Sequence, residues 1–252
     1  MQKKKKATPK PKPVSIVESI PIEEQHNVIF KPNDGPQTSF LAAGEREVLY
    51  GGSAGGGKSY AMLADPLRYM GHPAFSGLLL RHTTEELREL IFKSQEMYPK
   101  IWPGIKWSER KMQWTAPSGA RLWMSYLDRE DDVLRYQGLA FSWIGFDELT
   151  QWPSPFAWNY MRSRLRSTAP DLPVYMRATT NPGGRGHHWV KKMFIDPAAH
   201  NKAFDATDIE TGEVLKYPAG HEKAGRSLFK RKFIPARLSD NPYLSRQGDY
   251  EA

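Results

Sequence analysis

The chain has 252 residues, no cysteine, 39% hydrophobic and 25% charged residues, and a formal net charge of +8. That length fits one α/β domain with a sizeable core, and the missing thiols exclude disulfides and thiolate zinc sites. No apolar run approaches the roughly 18 residues of a membrane span, and the opening MQKKKK has no apolar stretch behind it, so the expectation is a cytosolic protein with neither a secretory signal nor a membrane partner.

Six of the positive charges, Lys3, Lys4, Lys5, Lys6, Lys10 and Lys12, fall within residues 1–13, which carry no acid; +8 less these six leaves +2 for the rest. Residues 1–13 are expected to be a disordered basic tail, either a solubilising arm or a strand that holds nucleic-acid phosphates without reading sequence. Residues 14–40 end in a Pro- and Gly-rich stretch and predict a lead-in loop packed on a domain, not a helix interior.

Residues 47–50 are a short apolar strand candidate. Residues 51–57 contain five glycines and suit neither a helix nor a strand interior. Residues 58–70 carry Tyr60, Leu63, Leu67 and Met70 at helical spacing. Residues 77–81 predict a second buried strand. Residues 84–98 predict a helix with Glu85 and Glu86 near its start, where the dipole favours acids. Residues 112–115 and 121–127 pair as a hairpin around Pro117, Ser118 and Gly119. Residues 141–146 predict a strand ending at Asp147 and Glu148, residues 156–165 a helix, residues 174–180 a strand ending at Asn181, and residues 232–238 a last strand. Alternating buried strands and helices imply an α/β fold, a mostly parallel sheet with helices on both faces.

Gly52-Ser53-Ala54-Gly55-Gly56-Gly57-Lys58-Ser59 fits G-x-x-x-x-G-K-[ST] without mismatch. Glycines let successive backbone N–H groups turn inward around a phosphate, and the following helix N-terminus adds its positive end. Lys58 then reaches the β- and γ-phosphates of ATP, and the Ser59 hydroxyl ligates Mg²⁺. The strand before and the helix after are the context this motif requires. A buried strand ending in Asp147-Glu148 supplies the second half of such a site: the Asp holds Mg²⁺ through water and the Glu polarises the attacking water. Apart from the phosphate loop, acids at a strand end are ordinary solvated loop residues.

Further segments resemble, in order, the ATPase domain of large terminase subunits, the DNA-packaging motors of tailed phages. Gly35-Pro36-Gln37 is similar to the family's adenine-recognising glutamine segment. The run from Leu134 through Arg135 to Leu139 resembles the segment before the acid pair, and the run from Met161 to Ser167 an arginine-rich helix after it. Ala178-Thr179-Thr180-Asn181-Pro182-Gly183-Gly184 resembles the coupling motif, residues 186–195 continue it, and residues 233–244 are similar to the lead into the interdomain linker. The resemblance spans roughly residues 28–250.

It implies a RecA-like P-loop NTPase sheet of the additional-strand, conserved-glutamate type over residues 14–240, and a linker start at 241–252 before an absent nuclease domain. It implies that Gln37 contacts adenine, that Thr180 or Asn181 senses the γ-phosphate, and that an arginine finger exists, with Arg135 and Arg81 the leading candidates and Arg164 and Arg166 behind them. The implied partners are double-stranded DNA, the portal of the procapsid, the small terminase subunit, the nuclease domain, and further copies in a ring. An isolated domain is expected to be a monomer without nuclease activity, found in the host cytoplasm and transiently at the portal vertex. Against this stand a helicase-type translocase, for which a second RecA-like domain is wanting, a nucleotide-binding switch, which has no need of Glu148, and a kinase, which needs an acceptor site and a lid. The adjacent His187 and His188 lack a third metal ligand at useful spacing.

Overall fold

The computed structural model describes residues 30–53 and 55–240. The expected basic tail, most of the lead-in, Ala54 and the expected linker start lie outside them. The strands are β1 (Glu47–Gly52), β2 (Ser76–Arg81), β3 (Lys106–Ser108), β4 (Gln113–Thr115), β5 (Arg121–Tyr126), β6 (Trp143–Phe146), β7 (Tyr175–Thr180), β8 (Ala203–Asp205) and β9 (Lys230–Ala236). They form one sheet in the order β3-β4-β5-β2-β6-β7-β1-β9-β8. The six strands from β5 to β9 in that order run parallel. β3, β4 and β8 add antiparallel edges.

Burial on both faces makes the central strands read as continuous apolar runs, but the pleat still sorts them. Leu80, Phe146, Ala178 and Leu49 lie at one level of the sheet and share one core with Trp158, Met161, Val190 and Phe194. That core is covered by the helices α4 (Phe156–Arg162) and α5 (His187–Val190), the latter running on as a π turn over Lys191–Ile195. The opposite face buries Val48, Tyr50 and Ile234 against Phe40 and Ala61, which belong to α1 (Pro36–Ala42) and α2 (Lys58–Ala64). The long helix α3 (Thr84–Ile101) packs on β2 and β5 and against α2. Among the described residues no helix is long and apolar enough to cross a membrane.

Several predicted boundaries shift. The lead-in expected to be a loop contains α1, because Pro36 stands in the first helical turn, where its missing N–H costs nothing. The helix expected over residues 58–70 stops at Ala64 and tightens into a 3₁₀ turn, Asp65–Tyr69; Pro66 cannot donate the bond that would continue the α-ladder. Tyr60, expected on its apolar face, is exposed. α3 continues past the predicted end at residue 98 to Ile101, carrying Pro99 on its exposed side, and starts with a capping box between Thr83 and Glu86. α4 ends at Arg162 rather than 165, because Leu165 leaves the helix to bridge Phe141; the arginine-rich segment is therefore mostly non-helical. The last strand sits two residues earlier than expected, and β3 and β8, three residues each, are too short to leave a periodic signal.

The sheet is pinned to α2 by charge as well as by packing. Asp65, fully buried at the end of α2, accepts from the Trp143 indole at 2.8 Å and from Arg68 at 2.9 Å. Arg177, from the middle of β7, lies 3.8 Å from the same carboxylate and over the Tyr175 ring at 4.3 Å. Gly145 makes this approach possible: a Cβ there would meet Met62 Sδ of α2 at 2.9 Å. Removing one partner of a buried pair strands the other. Asp65→Ala is thus expected to destabilise the domain by about 3–5 kcal/mol in urea denaturation, and the exposed Asp171→Ala by much less.

Candidate functional site

One residue beyond the level of Leu80, Phe146, Ala178 and Leu49, the pleat turns Arg81, Asp147, Thr179 and Tyr50 to the α2 side of the sheet. Lys58 opens α2 on that side. The parallel register therefore delivers the phosphate loop, the acid pair and the exit of β7 to one edge.

The loop itself depends on glycine. Gly52 has φ +143°, and a Cβ on it would fall 1.8 Å from the Ala236 carbonyl oxygen, which already accepts from the Ser53 N–H. Gly57, at φ +73°, caps α2. The Gly56 carbonyl accepts from the Tyr50 hydroxyl at 2.9 Å, and the Gly57 carbonyl from Gln37 Nε2 at 2.8 Å. Lys58 is buried and donates to the Ser53 carbonyl. Burial pushes its ammonium below the usual lysine range, while the negative charges of Glu148 and Asp147 pull it back. Ser59 follows it in the first turn of α2, and Ala54 lies outside the described residues.

Asp147 is 1% exposed. Arg81 Nη1 donates to its Oδ2 at 2.9 Å, and the Thr179 hydroxyl donates to its Oδ1 at 2.5 Å. The Thr179 oxygen in turn accepts from the Glu148 N–H at 2.9 Å. This contact holds Glu148 in the left-handed region, φ +60°, a strained backbone that a non-glycine residue keeps only where its surroundings fix it. Asn181 Nδ2 donates to Glu148 Oε1 at 2.9 Å, and Gln151 Nε2 lies 3.3 Å from Oε2. Arg81 also stands 3.5 Å from Glu148 and 3.7 Å from Glu86.

The remaining sequence candidates are spread out. Both polar ends of Gln37 are engaged by backbone, its Oε1 by the Asn33 N–H at 2.6 Å, so it ties α1 to the phosphate loop and can meet a base only by exchanging those bonds. Thr180 faces away from the acids, its hydroxyl donating to Thr150 at 3.1 Å. Arg81 belongs to the acid cluster of its own chain. Arg135 does not: it donates to the carbonyls of Tyr126 and Asp132 and is nearly half exposed. Tyr126 is the neighbour of Arg81 across β2 and β5, so Arg135 stands at the same rim, turned outward. Arg164 lies over Tyr160, and Arg166 donates to the carbonyls of Gly138 and Leu139. Behind the loop, on the other face, a cavity of about 400 Å³ is lined by Gly51, Thr180, His187, Phe233 and Pro235 among others.

β7 separates β1, which carries the phosphate loop, from β6, which carries the acids. A phosphate loop and an acid pair on either side of such an inserted strand define an additional-strand P-loop NTPase. The chain belongs to the large terminase family: residues 49–228 match its description "terminase large subunit, T4likevirus-type, N-terminal". Among solved structures it is similar to the large terminase of a thermophilic bacteriophage, with a TM-score of 0.57 and 16% identity over 86% of this chain, and spans 48% of that protein. It is also similar to the ATPase domain of the Thermus phage P74-26 large terminase, with a TM-score of 0.55 and 12% identity over 90% of this chain and 89% of that one. A further structure of the first of these terminases, in complex with ADP, has a TM-score of 0.52 and 17% identity over 86% of this chain and 48% of that one. Among curated proteins no match is found.

Thr179, Gln151 and Glu86 were not singled out by sequence. Thr179 stood one position from the residues that were, and counting strand alternation back from Asp147 is the signal that finds it. Thr179→Val keeps the shape and leaves Asp147 Oδ1 and the Glu148 N–H without this partner. It is expected to cost about 1–3 kcal/mol in urea denaturation and to weaken hydrolysis more than nucleotide binding, read by parallel rate and affinity measurements.

Proposed function

We propose that this domain hydrolyses ATP with Mg²⁺ and that the work drives double-stranded DNA into a procapsid. The observation that supports it is the register that brings Lys58, Asp147 and Glu148 to one sheet edge beside a glycine loop whose tightness leaves no room for a side chain at Gly52. Backbone N–H groups of residues 52–59 and the Lys58 ammonium take the phosphates. The donor set fits a hard cation: the Ser59 hydroxyl and the Asp147 carboxylate are the oxygen ligands Mg²⁺ prefers. Bound there, the ion would neutralise charge on the β- and γ-phosphates. Glu148 takes the proton of the attacking water, and its strained backbone fixes where the carboxylate points. Asn181, bonded to that carboxylate from the exit of β7, is the residue that passes the state of the site to the rest of the chain, and Gln37 meets the adenine on exchanging its backbone bonds.

The two leading arginines divide by exposure. Arg81 acts within its own subunit as the counter-charge of the acids. Arg135 acts in trans, toward a neighbour's γ-phosphate in a ring. The other partners proposed are the portal vertex, the small terminase subunit and the nuclease domain of a full-length protein, met in the host cytoplasm and at the procapsid.

Four variants test this. Lys58→Ala is expected to lose ATP affinity. Glu148→Ala is expected to keep affinity and lose turnover by about 10² or more. Mixing Arg135→Ala with Glu148→Ala subunits is expected to restore part of the activity of a ring, because a site with intact Glu148 then faces an intact Arg135. Mixing Arg81→Ala with Glu148→Ala restores none, because no subunit has both. Restoration by Arg81→Ala and not by Arg135→Ala reverses the assignment; turnover by Glu148→Ala at the wild-type rate ends the hydrolysis reading.

A further inference from the structure

We propose that Gln151 is a positioning residue for hydrolysis, and that with Asn181 it forms a pair of amides seating the attacking water on Glu148. This rests on Glu148 being the base. Gln151 closes the 3₁₀ turn Leu149–Gln151 that follows the acid pair, which returns its amide to the Glu148 carboxylate. Gln151 Nε2 donates to Glu86 Oε1 at 2.7 Å and lies 3.3 Å from Glu148 Oε2. Asn181 Nδ2 donates to the other oxygen, Oε1, at 2.9 Å. Each oxygen of the base thus meets one amide N–H. Charge fixes both orientations, since a flipped amide would set its oxygen against a carboxylate.

That orientation leaves Gln151 Oε1 and Asn181 Oδ1 buried and without a hydrogen-bond partner. Each is bonded to the same carbon as the donating nitrogen, so both acceptors stand beside the carboxylate they flank. A buried acceptor without a donor is costly, and that cost is offset here by the N–H contacts that hold the carboxylate. The Glu148 side chain is 28% exposed, so the water is seated on its carboxylate, and the two amide N–H groups fix the direction that carboxylate faces. Glu86 anchors the far end, itself fixed by the capping box with Thr83 at the start of α3. In the step, the water oxygen bonds to the γ-phosphorus while the bond from that phosphorus to the oxygen bridging to ADP breaks. One water proton passes to Glu148 and the other stays on the phosphate product. Gln151 exchanges no proton; it sets the angle of the carboxylate and of the water.

The test is single-turnover ATP hydrolysis and nucleotide affinity for the whole chain carrying Gln151→Glu, which is isosteric, or Gln151→Met, which is uncharged. Both are expected to slow hydrolysis at least about tenfold while the ATP Kd stays within about twofold. Adding Gln151→Met to Glu148→Gln is expected to cause no further loss, because the two act through one carboxylate. Hydrolysis within about twofold of wild type in Gln151→Met, an affinity loss as large as the rate loss, or a full multiplicative loss on the Glu148→Gln background overturns the proposal. A wild-type rate in Glu148→Gln removes the base itself and the proposal with it. A wild-type rate in Gln151→Met beside an inactive Glu148→Gln overturns the role of Gln151 alone.

Discussion

A carboxylate that is 1% exposed has lost its water and needs hydrogen-bond partners from the protein, and the edge of the sheet is organised around giving Asp147 those partners. Arg81 from β2 and Thr179 from β7 each take one of its oxygens, and Lys58 stands close enough on α2 to feel its charge. Three separate elements, β2, β7 and α2, must be in register to surround this one acid. The same Thr179 oxygen holds the Glu148 backbone in its strained conformation. One hydroxyl therefore serves both acids, and it comes from the strand inserted between the phosphate loop and the acid strand.

That inserted strand also carries a buried charge on the same face. Arg177 lies two residues before Thr179 and meets Asp65 at the far end of α2, while Lys58 begins that helix. β7 thus touches α2 ionically at its C-terminal end and touches the acids at its own exit. A third pair sits at the opposite edge, where Glu47 at the start of β1 is fully buried against Arg231 of β9 and Arg162 at the end of α4. Apolar packing alone would let helices slide on a sheet of alternating Leu, Val and Ile. Buried pairs with fixed geometry penalise a slip, because a misplaced charge in a dry interior has no alternative partner.

The catalytic edge was largely legible in the sequence because its demands are local. A glycine loop between an apolar strand and a helix, and two acids ending an apolar run, are written in consecutive residues, and β1, β2, β6 and β7 were placed within a residue or two. What was not legible depends on register. That Thr179 rather than Thr180 meets Asp147 follows only once β6 and β7 are aligned at Phe146 and Ala178. Gln151 carries no sequence signal of its own, and Glu86 reads only as an acid at a helix start, where it also closes the capping box; the contact that ties Glu86 through Gln151 to Glu148 joins elements 65 residues apart along the chain. Pro66 and the short edge strands were missed for the opposite reason: a single proline or three residues of strand leave too little periodicity to read.

The charges of the site decide what it lacks. Asp147, Glu148 and Glu86 face Arg81, and among the described residues Lys58 is a second cation that feels Glu148 and Asp147. A triphosphate would add still more negative charge, against which the divalent cation proposed at Ser59 and Asp147 would be set. Arg81 cannot serve the γ-phosphate as it stands without leaving Asp147 buried and underpaired, a cost of several kcal/mol. The charge that develops as the γ-phosphate departs therefore needs a cation not already committed to an acid of its own site. Arg135 meets that condition: its side chain is nearly half exposed, it is held by backbone carbonyls, and its one acidic neighbour, Asp132, is itself partly exposed at 3.6 Å, so moving it strands no buried charge. On the proposed function, a site whose own arginine is spent on its own acids would wait for a neighbour's cation, which would link hydrolysis to the order in which subunits meet.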